Sequence, residues 1–509
     1  MSVSSRAATK ALPLLRSGLS RTGAGEAVRR CCGTSAPLST RALGTTTTTT
    51  TCQRYASRGL AARRGLGAGG LRWYRSTSSS DSGKSVASSA TSVGGGAPEF
   101  AFAFDIDGVL LHSSKPIPGA TETLKYLQEH HIPFILLTNG GGKDEFERVA
   151  DLSEKLGVEL DVSNFVQSHS PYKRLLDPDL DMGFPDLERY FQSSIGSPRL
   201  SSGNTVLVLG SDASKARHIA HGYGFKSVVT PADILKEHPE IFPFDPLKEF
   251  YAKQETFPLP RPVYSPGGGN KLEDCLKVDA ILVFNDPRDW AVDVQLVTDL
   301  LLSHRGYLGT YSAMNGDQAL PRSRQWQSDG QPALIFSNAD LLWSTGYHLS
   351  RLGQGAFRAA LMRVWTGLVA NSGAKTSMLE KFTFGKPELP TYWHAWDVLQ
   401  RYYRKQQVEM PGEGTGVLRR VYMVGDNPES DIRGVWAWND HLQRRRVAEK
   451  RERPIPPWRS YLVRTGVWAE DRAPLENLEE AARPHNVTDD VKAAVNSALE
   501  KEGWSGRVE

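Results

Sequence analysis

The stretch AFAFDIDGVLLH, residues 101–112, decides the fold. An apolar strand runs directly into Asp105 and Asp107, two like charges two positions apart, and then into Gly108. Carboxylates held this close repel one another unless something positive stands between them, so the rest of the chain has to supply that charge.

Moving outward, strand-like and helix-like stretches alternate. PGATETLKYLQEHH (118–131) has apolar residues at helical spacing. IPFILLTNGGG (132–142) is a continuous apolar strand closed by a glycine-rich turn, and DEFERVADLSEKLG (144–157) is a helix stopped by glycine. DVSNFVQS (161–168) reads as another short strand. The first two strands are apolar throughout, as strands covered on both faces should be. The spacing predicts an α/β fold with a doubly wound parallel sheet. Beyond residue 178 the pattern loosens. TVLVLG (205–210), KSVVT (226–230), VDAILVF (278–284) and PALIFSN (332–338) read as strands of a second α/β unit, separated in places by Pro-rich stretches. The expected organisation is a core over 98–177 and 366–509, with a cap over 178–365 inserted into it. In the returning half, LRRVYMVGDNPESDIRGVWAWN (418–439) reads as strand, acidic loop and helix. HLQRRRVAEKRERPIPPW (441–458) reads as a charged surface excursion, and WRSYLVRTGVW (458–468) as a last strand.

In a doubly wound sheet the carboxyl ends of neighbouring strands open on one crevice, so residues far apart in sequence meet there. Asp105 and Asp107 end the first strand, and Thr138 and Asn139 the second. Lys386 lies in the turn FGKPE, and Asp426 and Asp431 in GDNPESD. Several carboxylates with one lysine leave negative charge in excess. A hard cation with oxygen ligands accommodates that excess, and Mg²⁺ is the expected cofactor. Such a site suits phosphoryl transfer. Metal and lysine neutralise the phosphate, one aspartate attacks phosphorus, and a second protonates the leaving oxygen and later activates water. A hydroxyl at the second strand end can hold a phosphoryl oxygen.

DIDGVLL, LLTNGGG, GKPE and GDNPESDI resemble the four ordered motifs of the haloacid dehalogenase superfamily, most closely its class IIA phosphatases, which carry a C2-type cap between the second and third motifs. DGVLLHSSKPIPGA, FNDPRDWAVDVQ and GDNPESDIRG narrow the likeness to the mitochondrial family of haloacid-dehalogenase-like hydrolase domain-containing protein 5. The resemblance covers about 100–500. It implies Asp105 as nucleophile, and Asp107 as acid/base with its main-chain carbonyl on the metal. It implies Thr138, Asn139 and Gly140 around the phosphate, and Lys386 orienting the nucleophile. Asp105, Asp107 and Asp426 would then hold the metal, with Asp431 as outer partner. A true dehalogenase lacks the second acid, so Asp107 favours phosphate chemistry. The resemblance also implies a small phosphate ester as substrate, with glycerophospholipid metabolism as a loose association. The run Gly140–Gly142 departs from the commonest class IIA loop. Either it makes room for a bulky ester or it is a flexible turn.

The formal charge of +4 hides an asymmetry. Residues 1–80 hold twelve Arg and one Lys against Glu26, a net +12, which leaves −8 for the remainder. Nucleic acid is therefore not an implied partner of the folded body. The Arg- and Ser/Thr-rich, acid-poor head reads as a mitochondrial (matrix) transit peptide and linker over 1–97, with a merely disordered basic tail as the bland alternative. Only Cys275 lies outside the head, so no disulfide framework is expected in the body, and no apolar run approaches a membrane span.

Other features have plain readings beside functional ones. His218 and His221 are a metal pair or a solvated helix face. PGGGN (266–270) is a phosphate cradle or a linker turn. Arg288 reaches a substrate anion or pairs with Asp286 or Asp289 at a helix start. Two rival functions remain at this level: a non-catalytic binding or scaffold protein that keeps the site, and phosphotransfer to an acceptor other than water.

Overall fold

The computed structural model describes residues 98–177, 185–243, 248–343, 345, 347, 349–370, 378–409, 416–448, 455–471 and 473–509. All lie in one compact unit, Ser88–Glu509. The basic head, with the transit-peptide reading attached to it, lies outside the described residues.

The first sheet has six parallel strands. In spatial order they are Asn486–Thr488, Trp458–Val463, Arg420–Gly425, Phe100–Phe104, Phe134–Leu137 and Phe165–Val166. From Phe100–Phe104 the chain winds outward one way, then returns to the other side of the same strand with Arg420–Gly425. That reversal is the topological switch point where such sheets open a crevice. The FAFAF strand shows why the sheet is covered twice. Phe100, Phe102 and Phe104 enter one core with Leu124 and Leu127 of helix Ala120–Glu129, Leu152 of helix Glu145–Leu156, and Val495 of helix Val491–Lys501. Ala101 and Ala103 face the opposite core, and their small side chains leave space for Trp396, Trp438 and Trp458. Aromatics this buried cost about 3–5 kcal/mol each to truncate to Ala.

The second sheet has five parallel strands, in the order Phe382–Thr383, Ala333–Phe336, Ala280–Val283, Thr205–Leu209 and Ser227–Val229. Helices Trp290–Leu302 and Gln354–Ala370 close one face around Leu296, Leu300, Phe357 and Trp365. Residue 365, the expected end of the cap, falls inside the second of these helices. Leu361, Trp365 and Val369 pack in the core of the second sheet, and Phe382–Thr383 forms its edge. We propose that the inserted unit runs to Phe384, whose N–H donates to Phe336 O at 2.8 Å.

Local differences from the sequence reading have simple causes. HLQRRRVA is not an excursion but the end of a helix, Arg433–Ala448, anchored by Trp438 and Leu442 one turn apart. Its apolar stripe is too narrow to show against the charge, and 449–454 lie outside the described residues. The edge strand Asn486–Thr488 is a three-residue element the reading passed over. DVSNFVQS is strand only at Phe165–Val166.

Candidate active site

Register brings the motif residues together. Phe104 pairs with Val424 on one side and with Leu136 on the other. Asp105 therefore leaves the sheet level with Gly425 and Leu137, one step from both Asp426 and Thr138. Lys386 arrives from the cap side, because Phe382–Thr383 is tied to Ile335–Phe336 and leads straight into the GKPE turn. The Lys386 Nζ is buried and donates to Asp105 Oδ1 and to Asp431 Oδ1, each at 2.7 Å. Burial alone would lower the lysine's pKa, but the Asp105 and Asp431 charges outweigh it and the net shift is upward. Burial lifts Asp431 to about 6 against the pull of Lys386. The direction that settles the pair is the lysine's: an ammonium held between carboxylates.

Asp105, Asp426 and Asp431 each offer an oxygen, and these lie within 4.8 Å of one another. Asp426 is buried. Desolvation first, then the charges of Asp105 and Asp431, push its pKa well up. Its Oδ2 accepts from Val467 N–H at 2.7 Å. A Cβ on Gly466 would stand 1.8 Å from that oxygen, so glycine is required there for the carboxylate to seat. Both Asp431 oxygens are engaged, one by Lys386 and the other by Asn427 N–H at 3.1 Å. Asp105 Oδ2 and Asp426 Oδ1 carry no hydrogen bond among the described residues. Two oxygens left open in a buried cluster with surplus negative charge fit a hard divalent cation. This fit rests on the donor set and its unspent oxygens.

Asp107 stands apart from the cluster. Its carboxylate is about 60% accessible and lies 4.0 Å from Arg148 Nη2. It sits in a crowded cleft, so desolvation and then the charge of Asp105 raise its pKa, although its accessible surface tempers the first effect. Thr138 Oγ1 is buried and accepts from Gly140 N–H at 3.0 Å, which leaves its own proton to donate. Asp107, Asp426, His112, Ser113 and Trp343 help line a cavity of about 300 Å³.

Asn139 links core and cap. Its Oδ1 accepts from Lys386 N–H at 2.7 Å, and its Nδ2 donates to Lys386 O at 2.9 Å and to Asp340 Oδ1 at 3.0 Å. Asn338 Nδ2 donates to Asn139 O at 3.1 Å. Asn338 and Asp340 were missed by the sequence reading. The available signal was the polar SNAD directly after PALIF, a strand end built like that of DIDG. Burial raises the Asp340 pKa to about 7, with Asp431 and Asp105 adding and Asn139 and Lys386 opposing. The folded state therefore keeps a proton that the unfolded chain loses near 3.8. The associated stability is present below about pH 4 and declines as pH rises to about 7, by up to about 1.4 kcal/mol per pH unit. Asp340→Asn should remove that component. Urea unfolding at pH 5 and pH 7 should show the variant gaining on the wild type, whereas parallel behaviour would refute the assignment.

The glycine run has a structural answer. A Cβ on Gly141 would stand 2.6 Å from Ser168 Oγ and 3.3 Å from Phe284 O, and one on Gly142 2.2 Å from Asn285 Nδ2. Gly142 also has φ +91°. The glycines admit the carboxyl end of a cap strand against the core. Asn285 cannot easily yield, because its amide bonds Ser211 through both N–H and oxygen. Gly142→Ala should cost about 1–3 kcal/mol in urea unfolding and raise KM by separating cap from core. Unchanged stability and KM would show that the contact is dispensable.

The remaining candidates take their plain readings. His218 Nδ1 faces Ser214 O and His221 Nδ1 faces Phe225 O, both on the exposed side of helix Ala213–Gly222. PGGGN forms an exposed turn. Asp289 caps helix Trp290–Leu302 through Val292 N–H, while Arg288 is exposed with its charge near Asp286.

A family model described as haloacid dehalogenase-like hydrolase matches residues 102–226. The mitochondrial hydrolase YKR070W of Saccharomyces cerevisiae is 34% identical over 416 residues, 79% of this chain and 96% of that protein. A cardiolipin synthase (CMP-forming)/mitochondrial hydrolase fusion protein of Schizosaccharomyces pombe is 33% identical over 403 residues, 79% of this chain and 53% of that protein, so this chain matches about half of the fusion. Among solved structures, NagD from Escherichia coli K-12 aligns with a TM-score of 0.41 at 16% identity, covering 77% of this chain and 96% of that one. No helix of the described residues is long and apolar enough to cross a membrane.

Proposed function

The chain belongs to the haloacid dehalogenase-like hydrolases, and from that premise we propose that it is a Mg²⁺-dependent phosphatase of small phosphate monoesters, acting through an aspartyl-phosphate on Asp105. The observation that carries this reading is the Lys386 ammonium spanning Asp105 and Asp431 beside Asp426. Asp105, Asp426 and the Asp107 main-chain carbonyl would hold Mg²⁺, which when bound neutralises phosphoryl oxygens and orients the phosphorus.

The chain's own groups do the rest. Lys386 fixes and orients the Asp105 carboxylate through Oδ1, and that carboxylate attacks phosphorus. The new bond joins an Asp105 carboxylate oxygen to P, and the bond that breaks is P–O to the alcohol. The Thr138 hydroxyl donates to a phosphoryl oxygen, while the Gly140 N–H holds Thr138 Oγ1 and the Gly142 N–H donates to His169 Nε2. Asp107, its pKa raised, brings the proton that the departing alkoxide takes. The resulting Asp107 carboxylate then takes a proton from water, which attacks phosphorus and releases phosphate and Asp105. Asp431 acts behind the lysine, with both its oxygens committed. The cap, docked through Asn338, Asp340 and Asn285, covers the cleft and selects the alcohol.

The names of the two relatives support a mitochondrial location, and the basic head over 1–97 is read as transit peptide and linker with the matrix as destination. The fusion of one relative to a cardiolipin synthase supports an alcohol drawn from phospholipid metabolism. The test is phosphate release from p-nitrophenyl phosphate. Hydrolysis should require Mg²⁺, stop on chelation and return on adding it back. Hydrolysis undiminished by chelator would overturn the metal assignment.

A further inference from the structure

The segment between cap strand Ala333–Phe336 and helix Gln354–Ala370 folds back as an antiparallel hairpin, Leu342–Trp343 against Arg351–Leu352. Leu341, Leu342, Trp343, Tyr347, Leu349 and Leu352 are each 41–58% exposed. Neighbouring strand residues point to opposite faces. With Leu342 and Trp343 both exposed, apolar surface lies on both sides of a narrow finger. A protein partner would cover one face of such a ribbon, and two-residue strands fall far short of the roughly 800 Å² per partner that a stable interface buries. A fluid apolar medium covers both faces at once.

The charge points the same way. Residues 341–352 contain no acid, and the Arg351 guanidinium lies 4.6 Å from the Tyr347 ring centre. Leucine, Trp and Tyr together with Arg are the residues of elements that seat at a membrane–water boundary. The hairpin also borders the catalytic cleft: Trp343 and Thr345 line the same cavity as Asp107, Asp426 and the His112–Ser114 turn. The exposed Lys115 follows that turn and adds a second positive group at the mouth.

We propose that this hairpin is a peripheral membrane anchor. It seats its leucines and rings in the interfacial layer of an anionic bilayer and sets the cleft over a phosphate monoester carried by a lipid. The docking stands on the hairpin alone, and the substrate class rests on the phosphatase reading above.

The Arg-rich first 80 residues attract anionic lipid by themselves, so the test reads the hairpin locally. Amide hydrogen exchange of the full chain is followed with and without phosphatidylcholine/phosphatidylglycerol vesicles. Exchange in peptides covering 341–352 should slow several-fold with vesicles in the wild type, and not in Leu349→Ser/Leu352→Ser. Leu349→Ser, which leaves the paired strand residues intact, should show a smaller loss. The double variant should keep wild-type turnover of p-nitrophenyl phosphate and lose most turnover of dioleoyl phosphatidic acid in vesicles. Docking is overturned if vesicles leave the hairpin's exchange unchanged, if the variants are protected like the wild type, or if protein concentration alone gives the protection. Hairpin protection with no hydrolysis of either ester would uphold the anchor and remove the phosphatase reading. Hydrolysis of both esters that is equal in wild type and variant would overturn the lipid-borne substrate.

Discussion

Asp105→Asn should lower kcat for p-nitrophenyl phosphate by at least about 10⁴-fold, because in the proposed mechanism it takes away the covalent nucleophile and so removes the step rather than slowing it. The amide keeps the shape of the side chain and an oxygen that can still accept from the Lys386 Nζ. It cannot form the acyl phosphate. The local fold should survive, since the change takes one charge out of a cluster that already holds Asp426 and Asp431. Phosphate release by the purified full chain, beside a thermal melt, separates the two effects. A folded variant with wild-type turnover would show that Asp105 is not the nucleophile.

Lys386→Met should have the largest effect on stability. The methionine fills similar space but leaves Asp105, Asp426 and Asp431 buried together with no ammonium among them. Removing one partner from a buried, hydrogen-bonded ion group costs about 3–5 kcal/mol. The loss depends on pH. Asp431 is raised to about 6 even with the lysine present, and without it the acid holds its proton more firmly. As pH falls through that range the uncompensated charge disappears and the deficit shrinks. Urea unfolding in chelator at pH 8 and pH 5 should show a large difference from wild type at the first and a smaller one at the second. Equal, small differences at both would mean that the lysine does not balance the acids.

What could be read from residues alone follows from what each element owes to its neighbours. FAFAF and PFILL are apolar at every position because both faces are covered, and such runs identify parallel strands without tertiary knowledge. Once strands 100–104, 134–137 and 420–425 are placed side by side, Asp105, Thr138 and Asp426 must meet, whatever the intervening length. Lys386 was legible as a charge the acids required, but its route was not. It is held against them by an edge strand of the other sheet, Phe382–Thr383, too short to leave a periodic signal. Asn338 and Asp340 carry only a weak signal, for a related reason. A polar pair after a strand is common in turns, and only the packing of one carboxyl edge on the other gives it a partner in Asn139. The glycine run needed the structure as well, since its cause is Asn285, more than a hundred residues away.

The central claim is that a divalent cation reconciles the acids at the edge of the first sheet. A melt of wild type and Asp426→Asn, each in chelator and in Mg²⁺, tests it most directly. In chelator the variant should melt above the wild type, because one of the mutually repelling charges is gone. In Mg²⁺ the wild type should rise and the variant should stay where it was, so that their order reverses. A wild-type melting temperature indifferent to Mg²⁺, or a variant that responds to it as strongly as the wild type, would contradict the account.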